Sequence, residues 1–92
     1  MNTKVKYILD ALNTSEVSVT DFSTLTSISR VTIYRWRNGG EVKDELRLNL
    51  AYNTAMRLNK AVQHQRLPLT DRLKKDQRVQ VLGSIIREMS AK

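Results

Sequence analysis

The stretch VTDFSTLTSISRVTIYRWRN, residues 19–38, contains two short amphipathic patterns separated by a break at residues 26–28. Ser18 stands before the first pattern and Ser29 before the second. Serine is a preferred N-cap because its hydroxyl accepts a backbone N–H of the first helical turn. We therefore predict one helix after Ser18 and a second from Arg30 to about Arg37. The side chains expected to face inward and hold the two helices at a fixed angle are Phe22, Ile28, Ile33 and Trp36.

Apolar residues elsewhere in the chain recur at helical spacing and predict three further helices. The expected fold is therefore all-α with about five helices, the additional ones covering about residues 3–13, 44–65 and 71–89. Pro68 ends the helical pattern between the last two helices, and Thr70-Asp71 is the predicted N-cap of the last helix. Residues 78–82 also fit a short strand, because Val-Gln-Val alternates there.

Composition narrows the possible functions. The 92 residues include no cysteine, one histidine (His64) and no glycine-rich phosphate loop. The residues needed for a thiolate or multi-histidine metal site are therefore missing. So are those needed for a histidine-based catalytic triad beyond His64 and for a nucleotide-binding loop. We expect a protein that is not an enzyme and that uses no cofactor or small-molecule ligand. No apolar run exceeds three residues, so we also expect no membrane partner and a cytoplasmic location.

The charge of the chain is strongly positive and unevenly distributed. The formal net charge is +7, which indicates a polyanionic partner. Residues 1–46 are neutral overall, whereas residues 47–92 carry the whole excess. Within the neutral half, however, residues 22–40 contain no acidic side chain that would repel phosphate. The second short helix lies in this acid-free segment.

The outward side of that second helix has the chemistry of a DNA reader. Arg30, Arg35 and Arg37 lie on it, and arginine can donate two hydrogen bonds to the O6 and N7 atoms of guanine. Val31 can pack its methyl groups on a thymine methyl, and Tyr34 either stacks on a sugar or packs against a neighbouring helix. We predict a helix-turn-helix whose second helix enters the major groove. The alternative is a solvated basic face on an ordinary helical bundle.

The motif ISRVTIYRWRNG, residues 28–39, resembles the Cro and C1-type repressor family of phage helix-turn-helix regulators. The resemblance covers roughly residues 17–62. It implies that Arg30, Val31 and Arg35 occupy positions that touch base edges, and that Ser29 occupies one that binds phosphate or a base. It also implies that the protein controls transcription.

The turn between the two short helices departs from the family pattern. Ser27 stands where the family has a glycine, and a serine in left-handed geometry costs about 1–2 kcal/mol. Two geometries therefore remain open at this position. Either Ser27 takes the left-handed conformation, or the turn has a different shape, as in the tri-helical modules of resolvases, transposases and small terminases.

Together these observations predict a sequence-specific regulator that binds double-stranded DNA, a phage-type repressor by preference, and acts as a homodimer. Residues 1–66 form the expected helix-turn-helix domain, and residues 67–92 form a C-terminal helix for core completion or dimerisation. Two alternatives are a small terminase-like DNA-packaging subunit and a protein-interaction module such as an antitoxin-like or host-factor-binding protein. The predicted DNA-binding residues are Ser29, Arg30, Val31, Thr32, Tyr34, Arg35, Arg37 and Asn38.

Overall fold

A computed structural model describes residues 2–89, and this part of the chain forms five α-helices and no β-strand. The all-α prediction is thereby confirmed, and residues 78–82 are helical rather than extended. None of these five helices is both long and apolar enough to cross a membrane. The helices are α1 (Thr3–Ser15), α2 (Val19–Thr26), α3 (Arg30–Arg37), α4 (Glu45–Gln63) and α5 (Lys75–Glu88).

Helix α1 continues two residues beyond the end predicted from the sequence. Thr14 Oγ1 donates to the Asp10 carbonyl at 2.9 Å and Ser15 Oγ donates to the Ala11 carbonyl at 2.7 Å, so both hydroxyls bond back into the helix instead of ending it. The helix ends at Glu16, whose φ of 56° is left-handed.

Helix α4 packs along α1 and forms the centre of the molecule. Leu48, Ala51, Ala55 and Leu58 of the predicted seam are buried, and Ala61 is buried with them. Alanine at these positions lets the two helix backbones approach closely. The sequence predicted α4 to reach Gln65, but it ends at Gln63 because Gln65 adopts a left-handed φ of 61°.

The last helix begins later than the sequence predicted. Thr70 and Asp71 are exposed and cap nothing, and α5 starts at Lys75. The backbone N–H of Lys74 donates to Gln77 Oε1 at 3.3 Å, which satisfies the start of the helix from within. Before it, Leu67 is buried and Leu69 and Leu73 are half-buried in a non-helical segment. Burial of these leucines determines the path of the chain here, not the strength of a capping dipeptide.

Helix α5 packs against α2 and α4 of the same chain. The sequence did not decide whether its apolar stripe completes the core or forms a dimer interface. In the structure the stripe packs into the core of its own chain. The buried residues of the stripe belong to the same cluster as those of α1 to α4, and they are Leu82, Ile85, Ile86 and Met89.

Candidate nucleic-acid interface

The turn between α2 and α3 consists of Ser27, Ile28 and Ser29, one residue later than predicted. Ser27 adopts φ 61° and ψ 23°, so the first of the two open geometries, a left-handed serine, is the one present. Thr26 Oγ1 accepts the N–H of Ile28 at 3.3 Å, and Ser23 Oγ donates to the Ile28 carbonyl at 2.6 Å. Side-chain hydroxyls from α2 therefore hold both backbone groups of the residue at the centre of the turn.

The apolar wedge between α2 and α3 is present as predicted. Phe22 and Ile33 are completely buried, and Ile28 and Trp36 are almost so. Trp36 is thus a core residue and not a contact residue. Since the four side chains come from both helices and from the turn, their burial fixes the direction in which α3 projects from the body of the protein.

Both ends of α3 are defined by local hydrogen bonds. Ser29 Oγ accepts the backbone N–H of Thr32 at 3.2 Å and lies 3.0 Å from the Thr32 hydroxyl. At the other end, the N–H of Asn38 donates to the Tyr34 carbonyl at 3.0 Å, and Gly39 follows with φ 85°. The predicted cap and exit of this helix are confirmed, and the helix covers residues 30–37 as expected.

The structure brings the predicted contact residues together on the side of α3 that faces away from the protein. With 3.6 residues per turn, Val31, Tyr34, Arg35 and Asn38 lie opposite the buried Ile33 and Trp36. Val31 is 71% exposed, which is a high exposure for an apolar side chain. Arg30 and Arg37 are exposed along one edge of this face, and Thr32 is half-buried along the other.

The three arginines of α3 have few competing partners. Within residues 2–89, none of them forms an ion pair with a carboxylate. The guanidinium of Arg37 lies 5.6 Å from the ring centre of Tyr34, a cation–π contact that occupies the exposed tyrosine face. Arg30 and Arg35 are exposed, and Arg35 lines a small cavity together with Glu41 and Asp44. Because no carboxylate of the described residues forms an ion pair with the three arginines, the face keeps a local positive charge.

A partly buried ion pair that sequence reasoning missed connects α2 to α5. Asp21, in the first turn of α2, is buried, and both of its oxygens accept from Arg78, at 2.6 Å from Nε and at 3.3 Å from a terminal nitrogen. The hydrogen bond with Asp21 raises the pKa of Arg78. Arg78 also donates to the Leu73 carbonyl at 3.2 Å. With 57 positions between the partners, the sequence offers no local signal for the pair.

The described residues contain no group of three or more histidine, aspartate or glutamate side chains that could hold a metal ion. The exposed face of α3 presents hydrogen-bond donors, one aliphatic side chain and one aromatic ring. Comparison of the chain with models of known protein families, with curated proteins and with solved structures finds no match.

Proposed function

We propose that the protein is a sequence-specific DNA-binding regulator that inserts α3 into the major groove. The observation that carries the proposal is the exposed face of α3. Its arginines form no ion pair with a carboxylate of the described residues, and the buried wedge beneath fixes the direction in which the helix projects. An α-helix fits the major groove, where Arg30 and Arg35 can donate to guanine and Val31 can meet a thymine methyl. Arg37 and the backbone N–H groups at the start of α2 and α3 are suited to phosphate.

The arrangement of the caps supports the same function. Ser18 and Ser29 each occupy the N-cap of a short helix and each accepts one backbone N–H, which leaves other N–H groups of both first turns without an acceptor inside the helix. Anions bind at such positions because the helix dipole and the free donors add to each other. Phosphate contacts there fix the register that lets α3 read bases.

The resemblance of residues 28–39 to Cro and C1-type repressors adds to this proposal and specifies the regulator as a phage-type repressor. A repressor of this kind occupies a promoter and needs no further domain. The left-handed Ser27 supports the resemblance, because it gives the turn the conformation that glycine supplies in that family.

The proposal includes a homodimer on paired half-sites, the usual arrangement for helix-turn-helix proteins. Leu46 and Leu50 favour it, since they lie one turn apart on α4 and are 83% and 48% exposed. We expect Leu46→Ser to shift the protein from dimer to monomer in sedimentation equilibrium and to weaken binding to a two-half-site duplex. Val81→Ser, at an exposed apolar position on α5, is the matched control and should leave the dimer intact. A dimer unchanged by Leu46→Ser contradicts this interface.

The function is tested by selecting bound sequences from random DNA duplexes, followed by gel-shift titration of the enriched duplex. We expect one enriched motif in two copies about one helical turn apart, bound at least about a thousandfold more tightly than unrelated DNA. A large ring in solution together with a start-site motif would instead favour the DNA-packaging subunit. Absence of DNA binding even at low salt would refute the proposal and favour the protein-interaction module.

A further inference from the structure

Gly40, three residues beyond the end of α3, lies against the stem of Arg35. Its backbone N–H donates to the Arg35 carbonyl at 2.8 Å. A methyl group on Gly40 would lie 2.5 Å from Cγ of Arg35, 3.3 Å from its Cδ and 2.9 Å from its carbonyl oxygen. Atoms cannot approach to 2.5 Å without displacement. The stem of Arg35 can therefore lie in this position only because residue 40 has no side chain.

The neighbouring Gly39 serves a different purpose. Its φ of 85° requires glycine for conformational reasons, but a methyl group there would meet nothing within 4 Å. The Gly39-Gly40 pair thus separates two tasks. The first glycine turns the backbone out of α3, and the second makes room for a side chain that α3 presents to solvent.

We infer that Gly40 is a positioning residue for Arg35, and that it makes Arg35 the pre-organised base reader of the interface. The inference rests on the proposed DNA-binding function and deepens it. A solvent-exposed arginine loses much rotamer freedom when it binds, and a side chain already held in place loses less. Arg37 is held instead on the ring of Tyr34, and Arg30 lies at the opposite end of α3 from the glycine pair. Arg35 therefore determines the strictest base preference of the site.

The decisive experiment compares base preferences of Gly40→Ala, Arg35→Ala and Gly39→Ala by the same selection from random duplexes. We expect Gly40→Ala to relax the preference about tenfold at the one base pair that Arg35→Ala also relaxes. Gly39→Ala is the matched control, which loses thermal stability through its strained φ but keeps the preference. In the double variant Arg35→Ala with Gly40→Ala, no further relaxation is expected, because the two changes act through one side chain.

Gly40→Ala with an unchanged preference, or with equal relaxation at every base pair, would overturn the inference. If this variant does not fold, ¹⁵N relaxation of the arginine Nε–H groups of the unmodified protein provides the test. Greater order at Arg35 than at Arg30 supports the inference, and equal order overturns it. A wild-type chain that selects no preferred duplex is a different result, which refutes the proposed function and the positioning role together.

Discussion

Helices α3 and α5 are both rich in arginine but use it differently. In α3, Arg30 and Arg35 are exposed, whereas in α5 Arg78 pairs with the buried carboxylate of Asp21 and Arg87 donates to Ser84 Oγ at 3.2 Å. The difference follows from where the carboxylates lie and not from the number of cations. Paired carboxylates of the neutral first half, whose charge is thereby cancelled, are Asp10 with Lys6, Asp21 with Arg78 and Asp44 with Arg47.

Net charge along the sequence is therefore a poor guide to where an unpaired positive face lies. Residues 47–92 carry the entire excess of positive charge, yet the face with the strongest case for DNA lies on residues 30–37. Arg78 of the second half neutralises Asp21 of the first half, which leaves α3 without an acidic neighbour from α2. Local charge depends on tertiary pairing, which a running sum of the sequence does not include.

The largest effect is expected from Arg78→Ala on α5. The change leaves the Asp21 carboxylate buried without a cation, which is strongly destabilising. We expect Tm, measured by circular dichroism, to fall by many degrees. Lys75→Ala, which removes an exposed charge from the same helix, should change Tm little. Equal Tm values for the two variants would show that α5 and α3 do not differ in the way described above.

Arg35→Ala and Arg30→Ala on α3 should show the opposite pattern. Each is expected to weaken binding to the selected duplex by about 1–3 kcal/mol and to relax preference at one base pair, because a bidentate contact is lost. Tm should stay within about a degree or two of wild type, since neither side chain is buried. Gel-shift titrations at fixed salt, with Lys75→Ala as the charge-matched control, measure this. Loss of stability without loss of specificity would reverse the roles assigned to the two helices.

Ser27→Gly should change the stability of the turn that supports α3 without changing the exposed face of the helix. Glycine relieves the left-handed strain of the serine, so the free energy of unfolding in urea should rise by about 1 kcal/mol. Ser27→Ala is the control, because it retains the Cβ and the strain. Base preference should be the same in all three proteins. A Ser27→Gly variant less stable than wild type would contradict the strain argument.

The smallest effect is expected at the exposed ion pair between Arg66 and Glu88, which joins the end of α4 to α5. The hydrogen bond from Arg66 lowers the pKa of Glu88. A carboxyl whose pKa is lower in the folded state stabilises the fold above its unfolded pKa, and this contribution is lost as pH falls through the folded pKa. Glu88→Gln should therefore lower Tm slightly at pH 7 and be closer to wild type at about pH 3. A difference in Tm between the two proteins that does not shrink at acid pH would contradict this role of the pair.

Local signals were sufficient to predict α2 and α3 almost to the residue. Ser18 and Ser29 each cap a helix by a hydrogen bond to the residue three positions on. The three-residue spacing of Ile33 and Trp36 is enough to place both on one helix face. The burial of Trp36 and the exposure of Val31 follow from the same arithmetic.

Features that depend on distant residues were not predictable in this way. The predicted start of α5 was wrong. Thr70-Asp71 has good capping chemistry, but Leu67 and Leu69 just before it pack into and against the core in a non-helical segment. The pairing of Asp21 with Arg78 and the contact of Gly40 with Arg35 depend on chain paths that no single helical period encodes. The conformation of Ser27 was an open question for another reason. Propensity measures only the cost of a left-handed serine, and it does not include the local hydrogen bonds by which the Ser23 and Thr26 hydroxyls stabilise the turn.

The salt bridge from Arg78 to Asp21 has a practical consequence for anyone who engineers this chain. Excising residues 1–66 as a minimal module would remove Arg78 and expose the hydrophobic underside of α2 and α4, leaving a carboxylate without its counter-ion in the excised fragment. Reporter or effector fusions should therefore be appended after α5, and the α2–α3 unit should be transplanted together with that helix.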